Sequence, residues 1–436
     1  ALAQGPGVPP PPNGHDPAFD ATAAEEESYW YSRYNLLALV MQSGNGVMAD
    51  VPMDMVMGAI GMVDANPNDG DTVVVPANVA LLKIVYAGGD PHLTTMMDPA
   101  DFATLRWLGG DESVTLEASA WTIIKEAEWA RLFHVDEHFG TPDSDFGAQQ
   151  RFVGMVMAMS AKLQLMAWLE TPDAFRTDLR GQYAMLIALS DVGSMLMAET
   201  QQYSATNRYA DPDAAGMFLG AADQLFQSLA DARPQTVAEW SLAAQAYVWF
   251  AANTADETLR ADALARLEAA GDALLDAQPG SASEAAYAIR GLIEVSRTTG
   301  ESAYLDQAVA LWNGLVAEYD APTGTFTSQT TYTIDDVSAI VGAINALGLF
   351  GGTAVDRDVR EAVFAGFFES VVNLSGLQIA TPPVELFKGA YEQEDPEIWL
   401  RYPTQPMPPM AGGEFGIAAV FGASATLMGD TWTVDR

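Results

Sequence analysis

From residue 116 onward, apolar residues recur at the spacing of a single helix face. The clearest stripe is Tyr304, Leu305, Ala308, Val309, Trp312, Leu315, Val316 and Tyr319, which predicts a helix over 302–319. The same period predicts helices over 116–139, 146–169, 334–349 and 356–372. Punctuation residues add further starts. Thr171-Pro172-Asp173 and Asp211-Pro212-Asp213 each set a capping side chain before a proline suited to the first helical position. They predict helices running to about residues 202 and 229. Thr236 with Glu239, Thr254 with Glu257, and Ser281 with Glu284 have capping-box spacing, each ahead of another amphipathic stretch.

The first hundred residues read differently. A helix is predicted from Ala23 to Gln42 and is stopped by Gly44-Asn45-Gly46. Met48, Met53, Met55, Met57 and Met62 follow, and core packing is the favoured reading for them. Residues 72–75 predict a short strand, 78–86 a helix or a strand, 88–92 a turn carrying His92, and 98–108 a short helix. Beyond Val372 the pattern changes again. Tyr402 to Gly413 is too rich in proline and glycine for regular structure, and 415–434 reads as short strands or an extended strap lying back on the body. The expected organisation is a flexible lead-in (1–20), a Met-rich region packed on the main body (21–115), helical hairpins (116–375) and an irregular or strand-like strap (376–436).

Pairing the helices places hairpins near residues 214, 258 and 302, an interval of about 44 residues. Such a period predicts a mainly α fold, either an α/α toroid or a curved array of helical hairpins. Two features favour closure: the longer connection from Asp320 to Thr333, suited to a loop or short hairpin over one end, and helices rich in Ala and Gly. In this the chain resembles the α/α-toroid, or six-hairpin, proteins over roughly 116–375. That group includes glycoside hydrolases, polysaccharide lyases and N-acylglucosamine epimerases. The resemblance rests on hairpin period and not on a catalytic motif, so it implies an architecture more than an activity.

Composition sharpens the picture. The net charge is −38, with four lysines among 58 acidic residues. A surface of that sign repels nucleic acid and anionic membranes. Its acids are spread along the chain, which fits a solvated, salt-adapted surface, with cation binding at a few acids as the sharper alternative. The absence of cysteine excludes disulfides, thiolate metal sites and cysteine nucleophiles. No apolar run of 18 residues is free of polar interruption, so no membrane span is expected. Ala1-Leu2-Ala3 followed by a Pro/Gly-rich stretch predicts a signal-peptide cleavage site and a secreted or periplasmic protein.

The candidate chemistry centres on His134-Val135-Asp136-Glu137-His138. On a helix, His134 and His138 share one face. They predict a zinc or copper site with His92 as third ligand and Asp136 or Glu137 in support. The plainer alternative, two histidines at a helix C-terminus, has the stronger claim. The literal H-x-x-E-H resembles inverted zinc peptidases, yet that family is α/β and expects a second-helix glutamate, for which only Glu199 is available. The closely spaced methionines raise copper again. Asp64, Asn66, Asn68, Asp69 and Asp71 resemble a calcium loop, although Gly70 falls one place late for an EF-hand and a plain turn explains them better. Asp335 and Asp336, at a helix start after the Tyr332 loop, are the catalytic candidates for a glycan-active toroid, with Trp240, Tyr247, Trp249 and Trp312 as sugar platforms. Asp336 also completes a cap with Thr333, and the aromatics sit at core spacing.

Two functions are therefore expected. One is an exported acidic protein with a binding or structural role, holding a metal ion at the histidine cluster. The alternative is a glycan-active hydrolase, lyase or epimerase. A glycan or another protein is the expected partner, with the oligomeric state open.

Overall fold

The computed structural model describes residues 19–24, 36, 40, 46–63, 79–86, 89–95, 106–109, 113–132, 145–199, 207–374 and 432–433. After a helical turn α1 (21–24), strand β1 (Gly46–Val51) leads directly into helix α2 (Met53–Val63). Strand β2 (Val79–Val85) pairs antiparallel with β1, from Gly46 opposite Val85 to Val51 opposite Val79. The 78–86 ambiguity thus resolves to a strand, as the aliphatic content of VALLKIV favours. Two expectations are corrected here. The turn over 88–92 is strand β3 (Gly89–Thr95), and the end of the predicted helix over 98–108 is strand β4 (Arg106–Gly109). The two strands pair antiparallel, with Leu93 opposite Trp107, so cross-strand hydrogen bonding outweighs the local helix signal.

Three of the methionines are corrected as well, whereas Met48 packs against the core as expected and the Met62 side chain lies outside the described residues. Helix α2 turns Val56 and Ala59 inward, while Met53, Met55 and Met57 are 41%, 54% and 56% exposed. Residues two apart fall on different sides of a helix, and only the Val56 side is covered, against α4 (Asp145–Glu170). Because Met55 lies away from Met53 and Met57, these three thioethers do not share one site.

The predicted helical region begins at α3 (Leu116–Leu132) and continues through α4, α5 (Leu179–Met197), α6 (Pro212–Ser228), α7 (Val237–Asn253), α8 (Glu257–Leu275), α9 (Ala282–Thr299), α10 (Ser302–Glu318), α11 (Ile334–Phe350) and α12 (Arg357–Phe367). The last runs on into a π-helical segment, Phe368–Leu374. Helices α6, α8 and α10 begin at 212, 257 and 302, which preserves the hairpin period. Helices α3, α5, α7, α9 and α11 form a row in which each packs on the next. Their partners α4, α6, α8, α10 and α12 lie beside them, each against its own row member. Burial separates the two sets. Helix α5 is buried around nearly its whole circumference, as an interior helix must be. Helix α10 buries a single stripe, Tyr304, Ala308, Trp312 and Leu315. The fold is mainly α, an array of helical hairpins, and one continuous apolar core runs through it. Among the described residues a single 20-residue stretch, Arg151–Glu170, is long and apolar enough to cross a membrane, but 67% of its apolar window is buried in this core.

Helix caps follow the sequence signals in most places. Asp211 caps α6, Thr236 and Glu239 form the box of α7, and Ser281 caps α9. Two caps differ. Thr171 opens no helix: its hydroxyl donates back to the Ala167 carbonyl at 2.9 Å, which finishes α4, and only a 3-10 turn follows. The true cap of α5 is Asp178, accepting from Gly181 N at 2.7 Å. Thr254 likewise gives its hydroxyl to Asp223 at 2.8 Å and leaves the capping of α8 to Asp256.

The connection after α10 is the expected short hairpin, β5 (Tyr319–Asp320) with β6 (Thr325–Phe326). Gly324 sits at φ +65, and a side chain there would strike the Gly366 carbonyl, so glycine is required. Strand β7 (Thr331–Tyr332) then pairs with β8 (Trp432–Thr433), which brings the far end of the chain beside the start of α11.

Candidate functional site

The first turns of α3, α5 and α11 and the second turn of α9 meet at one end of the array. The approach is set before the helices begin. Leu116 N donates to the Arg176 carbonyl at 3.0 Å, and Arg176 N donates to the Val114 carbonyl at 2.8 Å, so the strands entering α3 and α5 run side by side. Gly181 makes the contact possible: a Cβ at that position would lie 2.8 Å from the Glu117 backbone nitrogen. On the other side, Gln329 Oε1 accepts from Ser283 N at 2.9 Å, which ties the loop preceding α11 to the start of α9. The Tyr332 hydroxyl braces that loop, accepting from Phe326 N and donating to the Gln329 carbonyl, both at 3.1 Å.

These constraints bring Glu117, Arg180, Tyr287 and Asp335 together. Arg180 Nη1 donates to Asp335 Oδ2 at 3.0 Å and Nη2 donates to Oδ1 at 2.8 Å, a two-pronged pairing. Nη2 also donates to the Tyr287 hydroxyl at 3.2 Å and lies 2.9 Å from Glu117 Oε1. Both carboxylates therefore lie within 3 Å of one nitrogen. The valences are not all used. Arg180 Nε is buried without a hydrogen-bond partner among the described residues, and Glu117 Oε1 meets Nη2 as an ion pair outside hydrogen-bond alignment.

The electrostatics single out Glu117. Burial pushes the Glu117 carboxyl up to about 7; Arg180 opposes that shift, while Asp335 and Asp178 add to it. Glu117 is thus poised to hold or release a proton near neutrality. Burial works against the Arg180 charge, but Tyr287, Asp335 and Glu117 overcome it and fix the guanidinium as a cation. Burial and the neighbouring Asp335 raise the Tyr287 phenol, which keeps its proton. A protonatable acid, a carboxylate clamped by arginine and a phenol donor make an acid–base constellation.

Of the expected site residues, Asp335 lies at this centre. Asp336 does not: its carboxylate accepts from Thr333 N at 2.8 Å and from Thr333 Oγ1 at 2.9 Å, completing the helix cap. Trp312 and Tyr247 are core residues, 2% and 5% exposed, and Tyr247 packs edge-on against Tyr183 and Phe226. They are corrected as sugar platforms. Trp240, half-buried on the first turn of α7, and Trp249, exposed near its end, remain available. His134, Asp136, Glu137 and His138 lie outside the described residues, as do Asp64, Asn66, Asn68, Asp69 and Asp71. The backbone of His92 is in β3, with its side chain outside the described part. Among the described residues, no group of three or more His, Asp or Glu is placed to hold a metal ion.

Sequence reading missed Glu117, Arg180 and Tyr287. Glu117 and Arg180 are each the second residue of a helix, a position where polar side chains are commonplace, and Tyr287 lies one turn further into α9. Only the meeting of those helices distinguishes them. No known protein family, no curated protein and no solved structure matches the chain.

Proposed function

We propose that this chain is a glycan-active enzyme of the helical-hairpin type, with Glu117 as its proton donor and Asp335 as its base. The observation that supports this reading is the acid pair on one arginine. Burial holds Glu117 near the protonation midpoint at neutral pH, while Asp335 is gripped by both prongs of Arg180. Hydrolysis, elimination and epimerisation of sugars all need a group that gives a proton and another that takes one or attacks carbon. In this scheme Glu117 protonates the departing oxygen, and Asp335, held within about 6 Å on the same guanidinium nitrogen, attacks carbon or removes a proton. Tyr287 donates a hydrogen bond to the reacting sugar, and half-buried Trp240 offers a ring face at the start of a neighbouring helix.

The test is a panel of neutral and acidic polysaccharides, with reducing ends and unsaturated products both measured. Wild type is expected to turn over at least one polymer, with an activity limb near pH 7. Glu117→Gln and Asp335→Asn are each expected to lower kcat by about 10²- to 10⁴-fold while the far-ultraviolet dichroism is retained. Absence of turnover across the panel, or turnover untouched by Glu117→Gln, would defeat the proposal.

A further inference from the structure

Helices α3 and α4 meet along a face sealed from water, and one patch of that face is polar. Glu126 and Ser160 are fully buried there and Gln164 nearly so. Gln164 Nε2 donates to Glu126 Oε1 at 2.7 Å, and the Ser160 hydroxyl lies 2.8 Å from the same oxygen. The Ser160 hydroxyl also reaches the Leu82 carbonyl of β2 at 3.2 Å. Two oxygens of the patch have no hydrogen-bond partner among the described residues, Glu126 Oε2 and Gln164 Oε1. They belong to side chains already joined through their other terminal atoms. An ionised Glu126 would leave both as bare acceptors in dry protein, which is strongly unfavourable. A single proton on Glu126 Oε2 turns one acceptor into a donor for the other. It completes the doubly bonded ring that a carboxylic acid forms with a primary amide.

We propose that Glu126 and Gln164 form a proton-dependent latch between α3 and α4, closed by one proton shared between Glu126 Oε2 and Gln164 Oε1 and opened when that proton passes to water.

The lysines around the patch, and Arg131, pair with other acids. On α3, Lys125 bonds Glu128 at 2.7 Å, and Arg131 pairs with Asp191 of α5. On α4, Lys162 pairs with Asp211, and Arg151 stands nine residues before Ser160, about 13 Å along the axis. From β2, Lys83 reaches Glu170 at 3.6 Å, and on α2 Asp54 is exposed. The Glu126 carboxyl is accordingly held well above its usual range by burial, opposed only by the hydrogen bonds from Ser160 and Gln164. This acid is separate from Glu117, which lies in the first turn of the same helix.

Two measurements test the latch on the full-length protein. The first is infrared spectroscopy with isotope-labelled glutamate at neutral pH, with the band of Glu117, which titrates at about 7, assigned by its loss in Glu117→Gln. A second carboxylic-acid carbonyl band is expected in wild type and is expected to vanish in Glu126→Gln. Should that variant fail to fold, Gln164→Leu is expected to keep the band but shift it, because the acceptor is gone. The second is unfolding by urea across pH. Glu126→Gln reproduces the ring with two amides, so its curve lacks the proton. As pH rises above the ordinary carboxyl range, the wild-type unfolding constant is expected to rise relative to this variant, because the folded protein holds the Glu126 proton more tightly than the unfolded chain. A wild type with no second acid band, or two parallel pH curves, would overturn the proposal. Sodium-dependent stability present in wild type and lost in Glu126→Gln would also overturn it, assigning the patch to a bound cation.

Discussion

Replacing Arg180 with methionine removes the cation that joins α5 to α11 while keeping most of the apolar stem. Two charge-assisted hydrogen bonds to Asp335 disappear, each worth about 1.5–3 kcal/mol. Breaking a buried ion pair from one side costs about 3–5 kcal/mol. The Arg180 and Asp335 side chains are 21% and 15% exposed, so water screens part of this and about 3 kcal/mol is expected. Glu117 limits the damage, because without Arg180 its carboxyl simply stays protonated. Asp335→Asn leaves Arg180 with Glu117 and Tyr287 and is expected to cost about 2 kcal/mol. The informative quantity is the coupling between the two changes, obtained from urea unfolding of wild type, both single variants and the double variant at neutral pH in moderate salt. Salt is needed to quiet the −38 net charge. A coupling of about 2 kcal/mol is expected for a pair held in contact. A value below about 0.5 kcal/mol, typical of an exposed pair, would refute the argument. It would also mean that the first turns of α5 and α11 are not held together by this pair.

Two further outcomes follow from the same corner. The folded-state pKa of Glu117 is raised from 4.5 to about 7, so the folded protein binds the proton more tightly than the unfolded chain. The Glu117 contribution to stability, full at acid pH, should therefore fall by about 3 kcal/mol as pH rises from 4.5 to about 7 and then level off; Glu117→Gln should fall less than wild type by that amount, and identical curves for the two proteins would contradict the assignment. Gly181→Ala places a Cβ 2.8 Å from the Glu117 nitrogen and 3.1 Å from Leu116 Cβ, so α5 must back away from α3, at about 1–3 kcal/mol. Thermal melts read the loss, and a variant as stable as wild type would show that the helices are less close than described.

Much of the array is legible because its signals are local. Asp211-Pro212 opens α6 in the structure as it does on paper, and the Tyr304-to-Leu315 stripe of α10 is the face that is buried. Signals that depend on a distant partner are not legible. Residues 98–108 hold helix-like spacing, yet Arg106–Gly109 pairs with β3 instead. Thr171 has every mark of a helix opener until its hydroxyl turns back to Ala167. The methionines of α2 look like core filler because their number signals burial, while the exposure of a short helix depends on what lies across from it. At the site, Asp335 could be picked out as an acid at a helix start beside a loop. Glu117, Arg180 and Tyr287 could not, since their chemistry comes from contacts between helices far apart in the chain.

Arg180 and Asp335 are separated by 155 residues, and this distance gives the site a history during synthesis. A ribosome adding about 5–20 residues per second needs roughly 8–30 s to pass from one to the other. Through that interval the nascent chain already holds Glu117 and Arg180, with no Asp335 to compete for the guanidinium. Glu117 can then ionise against the arginine and hold α3 to α5 as an ordinary ion pair. The arrival of α11 changes the partnership: Asp335 takes both prongs of Arg180, and its added negative charge drives Glu117 back toward its protonated form. A pairing that first serves to assemble two helices becomes an acid poised near neutrality only when the last row helix docks. Premature termination before residue 335 would leave a chain that could pair its first helices but could not complete the acid–base pair.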